Sequence, residues 1–418
     1  GSDEWWNIIA AKGTPLILSD HSDYSQVLFL WRGQRSNCKD CVAVYIDING
    51  ITDHHSFDMA KLERYANTDV WYFQCRVRNR WRGSYAFMPV DKHLLQPEYQ
   101  GTHQEKREQH RDWLRQLFPL SCNDPLNRFN LTDGSWGNAH SSLHMPDAIP
   151  QEEWLAFEQS ADESSKIEIS KGTSCITWNS RLLQNTRNVW LQCTADTTKG
   201  SPLPVVLILD GAFWAHTMPA FSAFKHATES GRIVEALYVY IDEIDGSNRW
   251  QELGCNEAFW HAVQQELFSL LAEHYTITSD ARRTVVAGQS LGGLAAMYAG
   301  LNWPERFGSV LCQSGSFWWP DSSIIKPPSE YQKPKATEPL AELSRKVEQG
   351  LGQHCELHIF MEVGSGEDIM VDLSEDLIYQ LAQQNHNIQF RLFDGGHDRL
   401  CWRGGLIDGL SYLLNVEN

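Results

Sequence analysis

Ser290 is the residue of this chain best suited to nucleophilic chemistry. The apolar, β-type run that begins at Thr284 predicts a β-strand, which a G-x-S-x-G pattern at 288–292 breaks before a run of small, helix-forming residues. A sharp turn from strand to helix presents the serine hydroxyl at a helix N-terminus, where backbone N–H groups can stabilise an oxyanion. Such a turn strains the backbone at the serine, and we expect any side chain at Gly288 or Gly292 to collide across it. The strand before and the helix after favour a serine nucleophile over a chance pattern.

A serine hydroxyl needs a general base, and the best candidate lies near the C-terminus. His397 follows the strand-like run 388–393 on a loop that also contains Gly395 and Gly396. Two glycines allow a loop to approach another backbone closely. We therefore favour His397 over the other histidines of the chain as the base.

An acid on the loop after the buried-strand pattern 357–363 would hold the imidazole in the tautomer that accepts the serine proton. Glu367 is the preferred acid, and Asp368 is the alternative because spacing alone does not separate neighbours on a loop. Glu362, within the strand, is a weaker third candidate. The competing interpretation of each residue is an ordinary solvated charge.

The chemistry also needs two backbone N–H donors for the developing oxyanion. One comes from the residue after the nucleophile, and the other from the loop after an earlier central strand. These rules assign the donors to the amides of Leu291 and Ala212, because Ala212 follows the strand-like run 203–209. Because the donors are backbone amides, the residue types do not identify them. Gly211 and Phe213 therefore remain alternatives for the second oxyanion donor.

Longer motifs accompany these candidates in both halves of the chain. In the C-terminal part they cover positions 209–214, 255–267, 285–290, 303–316 and 394–406. In the N-terminal part they cover positions 44–55, 69–71, 81–85 and 124–127. Together these motifs resemble the ferric enterochelin (enterobactin) esterases, including related esterases that act on glucosylated enterobactin, the salmochelins. The resemblance spans most of the chain.

The resemblance implies hydrolysis of the serine esters in the trilactone of an iron-loaded catecholate siderophore. Ferric iron would then enter as part of the substrate, and no resident metal or cofactor is expected. The nucleophile, the base and the oxyanion donors carry over to Ser290, His397 and the amides of Leu291 and Ala212. The acid loop departs from the family pattern because no proline follows Glu367, and this leaves the choice between Glu367 and Asp368 open.

The chain of 418 residues is long enough for two domains. Residues 1–150 contain short strand patterns without intervening helices, such as 27–31, 42–46, 70–73 and 83–87, followed by a helix-like stretch at 104–117. They predict an immunoglobulin-like β-sandwich, the substrate-recognition domain, with a linker after it. Residues 165–418 alternate strand and helix signals, which predicts an α/β class domain, an α/β-hydrolase with a mostly parallel, doubly wound sheet.

A net charge of −18 argues against nucleic acid as a partner and demands a local basic patch for an anionic ferric catecholate. Arg76, Arg78, Arg80 and Arg82 alternate along a strand-like run, so we expect them to share one face. Within this run, Arg82, Arg80 and Trp81 are the substrate-binding candidates, through charge and cation–π stacking. The competing interpretation is a solvated strand face.

Three further substrate-binding candidates lie in the C-terminal part. Arg403 and Trp402 are close to His397 in sequence, and Arg249 follows the strand-like run 237–241. Each would be an ordinary ion-pair or core residue if the resemblance failed.

No apolar run approaches the roughly 20 residues that cross a bilayer, so membrane insertion is not expected. Positions 1–6 lack the basic and apolar regions of a signal peptide, and cysteines within apolar runs suit a reducing compartment, so we expect a cytoplasmic protein. The proline-rich segment 322–339 is either a lid or a disordered insertion.

These observations favour a serine esterase that cuts the trilactone of ferric enterobactin. One alternative is a carbohydrate-linked, feruloyl-type carboxylesterase, which would prefer a neutral substrate and need no arginine row. A second is an inactive siderophore-binding protein, against which the intact serine, histidine and acid candidates count.

Overall fold

The computed structural model describes residues 1–19, 22–33, 40–131, 140–159, 173–196, 200–325 and 339–415. They form two compact units. The first contains Gly1–Pro150 together with Phe393–Cys401, and the second contains the other described residues from Gln151 onward. Most of the proline-rich segment 322–339, for which a lid or an insertion is predicted, lies outside the described residues.

Within its described residues, the first unit contains eight strands and two α-helices. The strands are β1 Leu16–Ser19, β2 Tyr24–Arg32, β3 Ala43–Ile48, β4 Glu63–Arg64, β5 Val70–Arg78, β6 Arg82–Val90, β7 Asn130–Leu131 and β8 His140–His144. The helices are α1 Asp3–Lys12 and α2 His103–Leu117. Two antiparallel sheets result, with the strand orders β1-β2-β5-β4 and β3-β6-β8-β7.

The two sheets of the first unit share one apolar core. Alternate residues of β2, Val27, Phe29 and Trp31, are buried in the same cluster as Ile46 of β3 and Phe87 of β6. A period of two along each strand places these side chains on the inner face of their sheet. The predicted β-sandwich is therefore confirmed.

Helix α2 confirms the helix predicted at 104–117. Thr102 caps its N-terminus by accepting a hydrogen bond from the Glu105 N–H, and the Glu105 carboxylate accepts one from the Thr102 N–H. Trp113 and Leu117 lie on the buried face of the helix and pack with Met88 of β6.

Among the described residues, the second unit contains an eight-stranded sheet and nine α-helices; the end of β16 and the start of α11 lie in Phe393–Cys401. The strands are β9 Thr173–Ser180, β10 Asn185–Cys193, β11 Val205–Ile208, β12 Leu237–Ile241, β13 Thr284–Gln289, β14 Ser309–Gln313, β15 His358–Gly364 and β16 Asn387–Phe393. The helices are α3 Leu155–Gln159, α4 Phe221–Glu229, α5 Gly246–Leu253, α6 Glu257–Ala262, α7 Phe268–Ala272, α8 Leu291–Asn302, α9 Glu342–Glu348, α10 Ile369–Ala382 and α11 Arg399–Leu414.

The sheet is mostly parallel, in the order β16-β15-β14-β13-β11-β12-β10-β9. The pairs from β12 across to β15 are parallel, and β9 and β10 add an antiparallel edge. The N–H of Asn387 donates to the C=O of Leu357 at 2.8 Å, which sets the start of β16 beside the start of β15. The central strands are buried on both faces, as a parallel sheet between helices requires. The predicted α/β-hydrolase fold is confirmed.

No helix among the described residues is both long enough and apolar enough to cross a bilayer.

A buried ion pair joins the sheet edge of the second unit to α5. The guanidinium of Arg187 on β10 meets the carboxylate of Glu252 through two bonds, of 2.5 and 2.7 Å. Asn185 donates a further bond to Glu252 at 3.0 Å, and Trp178 packs against the guanidinium. Loss of one partner would leave the other charge buried without compensation.

We expect Glu252→Gln to destabilise the protein by about 3–5 kcal/mol, because Arg187 would keep its buried charge. This should lower Tm by at least about 6 °C in a thermal melt. Glu257→Gln is the matched control, since that carboxylate is exposed on the next helix and its loss should change stability by less than about 0.5 kcal/mol. Equal effects of the two substitutions would contradict a structural role for the ion pair.

Candidate active site

Ser290 forms the turn between β13 and α8. Its backbone has φ 56° and ψ −120°, outside the regions that residues with side chains normally adopt. Two hydrogen bonds hold this conformation: the Ser290 N–H donates to the C=O of Gln313 at 3.0 Å, and the Ser290 C=O accepts from the Ser316 N–H at 2.9 Å. The strained strand-to-helix turn predicted from the sequence is confirmed.

The two glycines of the pattern have different roles. A Cβ at Gly288 would lie 2.2 Å from the carbonyl oxygen of Gly292, so only glycine fits there. A Cβ at Gly292 would lie 3.4 Å from Leu209 Cβ and 3.5 Å from Asp210 Oδ2, which are ordinary contact distances. The expected collision at Gly292 is therefore wrong, because α8 passes the end of β11 with room for a methyl group.

The hydroxyl of Ser290 has a second serine beside it. Its Oγ lies 3.2 Å from Oγ of Ser316, on the loop after β14. Ser290 itself is only partly buried. In the sequence, Ser316 stands out only as part of a family motif, and no local pattern places it beside the nucleophile.

The two assigned oxyanion donors differ in their surroundings. Leu291 begins α8, where helix geometry provides no acceptor for its N–H and the helix dipole is positive. Burial and the Asp210 carboxylate raise the pKa of Glu243, and a hydrogen bond from the Ala212 N–H partly offsets this rise. The Phe213 amide, one of the alternatives, bonds to the Asp210 C=O at 3.2 Å. The second donor stays a prediction.

Arg249 is an ion-pair partner of Asp210 at the end of β11. Its Nε and Nη2 bond to the two oxygens of Asp210 at 2.5 and 2.8 Å. This bidentate pair holds the loop from which the second oxyanion donor is expected. The role of Arg249 as a substrate-binding cation stays a prediction, for a guanidinium that already bonds to a carboxylate through Nε and Nη2.

Glu367 is held rigidly on the loop after β15. Its Oε1 accepts hydrogen bonds from the Gly364 N–H at 2.7 Å and from the Ser314 hydroxyl at 2.6 Å. Ser314 Oγ in turn accepts a bond from the indole N–H of Trp402 at 2.9 Å. A buried carboxylate fixed in this way is suited to orient a base.

The other two acid candidates have different environments. Asp368 is only partly buried and precedes α10 with φ 44°. Burial raises the pKa of Glu362, while Arg391, bonded at 2.5 and 2.8 Å, opposes that rise. Glu362 also accepts a bond from Gln313, so it is a structural ion-pair residue and not an acid free to orient a base. The geometry favours Glu367 over both.

The loop that carries His397 belongs to the first unit. The side-chain amide of Asn49 donates to the C=O of His397 at 3.0 Å. A Cβ at Gly396 would lie 2.7 Å from the N atom of Gly50, so the two backbones approach as closely as glycine permits. The expectation that the loop glycines allow such an approach is confirmed. No motif in the sequence linked Asn49 or Gly50 to this loop.

The expected single row of four arginines is wrong, because the chain turns within it. β5 ends at Arg78, and Arg82 begins β6 in the other sheet, where its Nε donates to Nδ1 of His144 at 2.8 Å. Arg76 and Arg78 share a face and lie over the ring of Tyr24, at 5.0 and 5.6 Å from its centroid.

Arg80 lies in the turn between β5 and β6 with 71% of its side chain exposed. Its Nε is 3.4 Å from the carboxylate of Asp394, and Nη1 of Arg78 is 3.3 Å from the same group. Both cations thus face an acid from the loop that carries His397.

Three other substrate-binding candidates are buried and are corrected accordingly. Trp81 is 5% exposed and packs over Gly83 in the sandwich core. Trp402, 3% exposed, faces the interior from α11 and donates to Ser314.

Arg403 is fully buried in the second unit. Its guanidinium contacts Gln151 at 2.7 Å, pairs with Glu158 and lies over the ring of Trp154. Since α11 turns these side chains inward, they support the fold and do not form a ligand surface.

The mostly parallel sheet and the strained serine turn define an α/β-hydrolase. Residues 26–154 match the family described as "Enterochelin esterase, N-terminal", and residues 180–413 match the family described as "Putative esterase". The chain is 40% identical to the iron(III) enterobactin esterase of Dickeya dadantii (strain 3937), over 100% of this chain and 94% of that protein. It therefore belongs to the enterobactin (enterochelin) esterase family.

Solved structures of similar proteins agree in fold. The ferric enterobactin esterase from Salmonella typhimurium has a TM-score of 0.83 at 37% identity, with 99% of this chain and 98% of that chain covered. The enterobactin esterase from Shigella flexneri, crystallised in the presence of enterobactin, has a TM-score of 0.79 at 36% identity, with the same coverage.

The two glycines of the elbow provide a matched pair of substitutions. We expect Gly288→Ala to destabilise the protein by about 1–3 kcal/mol or more, because its Cβ would overlap the Gly292 carbonyl. Gly292→Ala should change stability by less than about 1 kcal/mol, since the added methyl meets only ordinary contacts. Thermal melts of the two variants decide the point, and similar losses in both would contradict this geometry.

Proposed function

We propose that this protein hydrolyses the ester bonds in the trilactone of ferric enterobactin. The observation that carries the proposal is the strained Ser290 turn in a chain that resembles enterobactin esterases over its whole length. The N-terminal family match and the relative crystallised with enterobactin support a siderophore ester as the substrate.

In the proposed mechanism, Ser290 is the nucleophile, His397 is the general base and Glu367 orients the base. Each residue follows a strand of the sheet, in the chain order serine, acid, histidine that is typical of this fold. The carboxyl ends of parallel strands lie along one edge, so the chain topology supports a common site there. The buried, doubly hydrogen-bonded carboxylate makes Glu367 a better orienting group than Asp368.

The reaction proceeds through an acyl-enzyme. Ser290 Oγ attacks an ester carbonyl carbon of the trilactone while its proton passes to His397, and the Leu291 N–H stabilises the oxyanion at the head of α8. Collapse of the tetrahedral intermediate breaks the ester C–O bond of the substrate. His397 gives its proton to the departing serine oxygen of the trilactone. Water, activated by His397, then releases the linear product and restores Ser290.

Opening the trilactone weakens the hold on iron. The intact ring preorganises three catechols around one ferric ion, and a linear chain must give up conformational freedom to do the same. The reaction therefore makes iron easier to reduce and remove. Iron enters with the substrate, and we propose no resident cofactor.

The anionic substrate requires positive charge on a protein of net charge −18. Arg76, Arg78 and Arg80 are the exposed members of the predicted arginine run, and Tyr24 offers an aromatic surface beside two of them. We propose this cluster as a recognition surface for the ferric catecholate. Guanidinium groups suit it through charge and stacking.

We also propose a cytoplasmic location. Cys75, Cys122 and Cys312 are free thiols that lie against apolar surroundings or within the core, where they act as small apolar side chains. Burial raises the pKa of Cys75 to about 11 and that of Cys122 to about 12, so both thiols resist deprotonation. Reduced, unreactive cysteines suit a reducing compartment.

The alternative functions are less favoured. A feruloyl-type carboxylesterase would not account for the match of residues 26–154 to an enterochelin esterase domain. An inactive binding protein would have no use for a strained serine held by two backbone hydrogen bonds.

We expect Ser290→Ala and His397→Ala each to lower kcat for ferric enterobactin by at least about 10⁴-fold. Substrate binding should change little, because neither substitution removes a binding cation. Chromatography of dihydroxybenzoylserine fragments measures turnover, with glucosylated enterobactin and a feruloyl sugar ester assayed in parallel. A variant that kept its rate would reject the assigned role, and cleavage of the feruloyl ester alone would reject the proposed substrate.

The arginine cluster generates a separate prediction. Arg80→Ala should raise KM for ferric enterobactin by about threefold to tenfold while kcat stays near its original value, because an exposed cation contributes mainly to binding. Arg115→Ala, on the exposed face of α2, is the matched control and should leave KM unchanged. Equal KM values for the two variants would reject a role of Arg80 in substrate binding and leave it as an ordinary solvated charge.

A further inference from the structure

We propose that Asn49 and Gly50, in the turn after β3, are positioning residues that hold His397 in place for catalysis. The β-sandwich unit would then take part in the chemical step as well as in recognition. This inference rests on the proposed function, in which His397 is the general base.

The first contact acts on the histidine itself. Nδ2 of Asn49 donates to the backbone C=O of His397 at 3.0 Å. A hydrogen bond at this carbonyl restrains the peptide from which the imidazole projects. The imidazole needs such restraint because its loop contains two adjacent glycines, the residue type with the most backbone freedom.

The second contact is steric and lies just before the histidine. Gly50 has φ +73°, and a Cβ on it would lie 2.8 Å from Cα of Gly396. A Cβ on Gly396 would reach both Asn49 Oδ1 and the Gly50 N atom. Glycine is thus required on both sides, and the close packing leaves the loop little room to shift.

The third contact lies just after the histidine. Asp398 is 3% exposed, and its Oδ2 accepts a bond of 2.5 Å from the Ser84 N–H on β6. The Asn49 N–H donates to the Ser84 C=O at 3.0 Å. Ser84 is therefore bonded both to Asn49, which binds the C=O of His397, and to Asp398, the residue after His397.

The turn that carries Asn49 is itself braced. The Ile51 N–H donates to the Ile48 C=O at 2.9 Å, and the Ile48 N–H donates to Oγ1 of Thr52 at 2.8 Å. A side chain on a rigid turn can fix another group more accurately than one on a loose loop. Asn49 is therefore held in place by its own turn and can restrain the backbone of the histidine loop.

More distant bonds hold the remainder of the loop. The Arg82 N–H donates to the Asp394 C=O at 3.1 Å, and the thiol of Cys401 donates to the Arg82 C=O at 3.1 Å. The loop is thus tied to the start of β6 at both of its ends. Asn49 differs from these contacts because it acts at residue 397 itself.

The test is Asn49→Asp, which keeps the size of the side chain but replaces the amide donor with a carboxylate that repels the His397 C=O. We expect kcat for ferric enterobactin to fall about 10- to 100-fold, the range that misplacement of a catalytic group by about 1 Å produces. KM should stay within about twofold. The rate at which a fluorophosphonate labels Ser290 should fall in proportion to kcat, because labelling needs the same base.

Asn79→Asp is the matched control. Asn79 is a half-buried asparagine of the same unit, and its Nδ2 donates to the C=O of Ser22, a residue outside the histidine loop, at 2.9 Å. Because it lies between Arg78 and Arg80, the comparison uses kcat and the labelling rate and not KM. It should keep kcat and the labelling rate while suffering a similar change in Tm. Gly396→Ala tests the same contact from the loop side and replaces Asn49→Asp if that variant fails to fold.

His397→Ala separates this inference from the proposed function. If His397→Ala keeps activity, the assigned base is wrong and the proposed mechanism fails. If His397→Ala is inactive but Asn49→Asp and Gly396→Ala keep kcat within about twofold, only the positioning role is rejected. A loss of kcat in Asn79→Asp equal to that in Asn49→Asp would likewise reject it, as a general effect on the fold.

Discussion

The strained backbone of Ser290 is the constraint on which the second unit depends. A left-handed conformation at a residue with a side chain costs on the order of 1–3 kcal/mol and persists only where the surroundings enforce it. Here the buried strand β13 fixes one side of the turn and α8 fixes the other. The absence of a side chain at Gly288 lets the Gly292 carbonyl pass, and bonds to Gln313 and Ser316 hold the peptide on both sides. The fold thus stores strain where an exposed hydroxyl is needed.

The end of β14 and the loop after it extend this support to the acid. Gln313 accepts the Ser290 N–H with its backbone, while its side chain donates to Glu362 and to the C=O of Trp402. One residue later, Ser314 donates to Glu367. Buried polar networks of this kind are rigid when every member is satisfied. The nucleophile and the acid candidate are therefore held by neighbouring residues at the end of β14 and in the loop after it, and displacement of this segment would disturb both.

The histidine loop follows a different principle. It is continuous with β16 and α11, yet its bonds at 394, 397 and 398 are made to the β-sandwich. Two of the exposed arginines, Arg78 and Arg80, face Asp394 on this same loop. The proposed ligand-binding arginines of the sandwich and the residues that hold His397 therefore contact the same loop, at residues 394–398. In the proposed mechanism, this arrangement would let one unit both bind the substrate and position the base.

The sequence alone determined the features that depend on local chemistry: the strand, turn and helix around Ser290, the glycine requirement at Gly288, the two domain types and the glycine-containing histidine loop. Each follows from the backbone preferences of neighbouring residues. Only the tertiary structure decided the rest. The arginine run divides between two sheets, Arg403 and Trp402 turn inward, Gly292 has room for a methyl group, and Asn49 reaches a loop 348 residues away in sequence. These outcomes depend on which distant segments pack together, and no local pattern in one sequence records that.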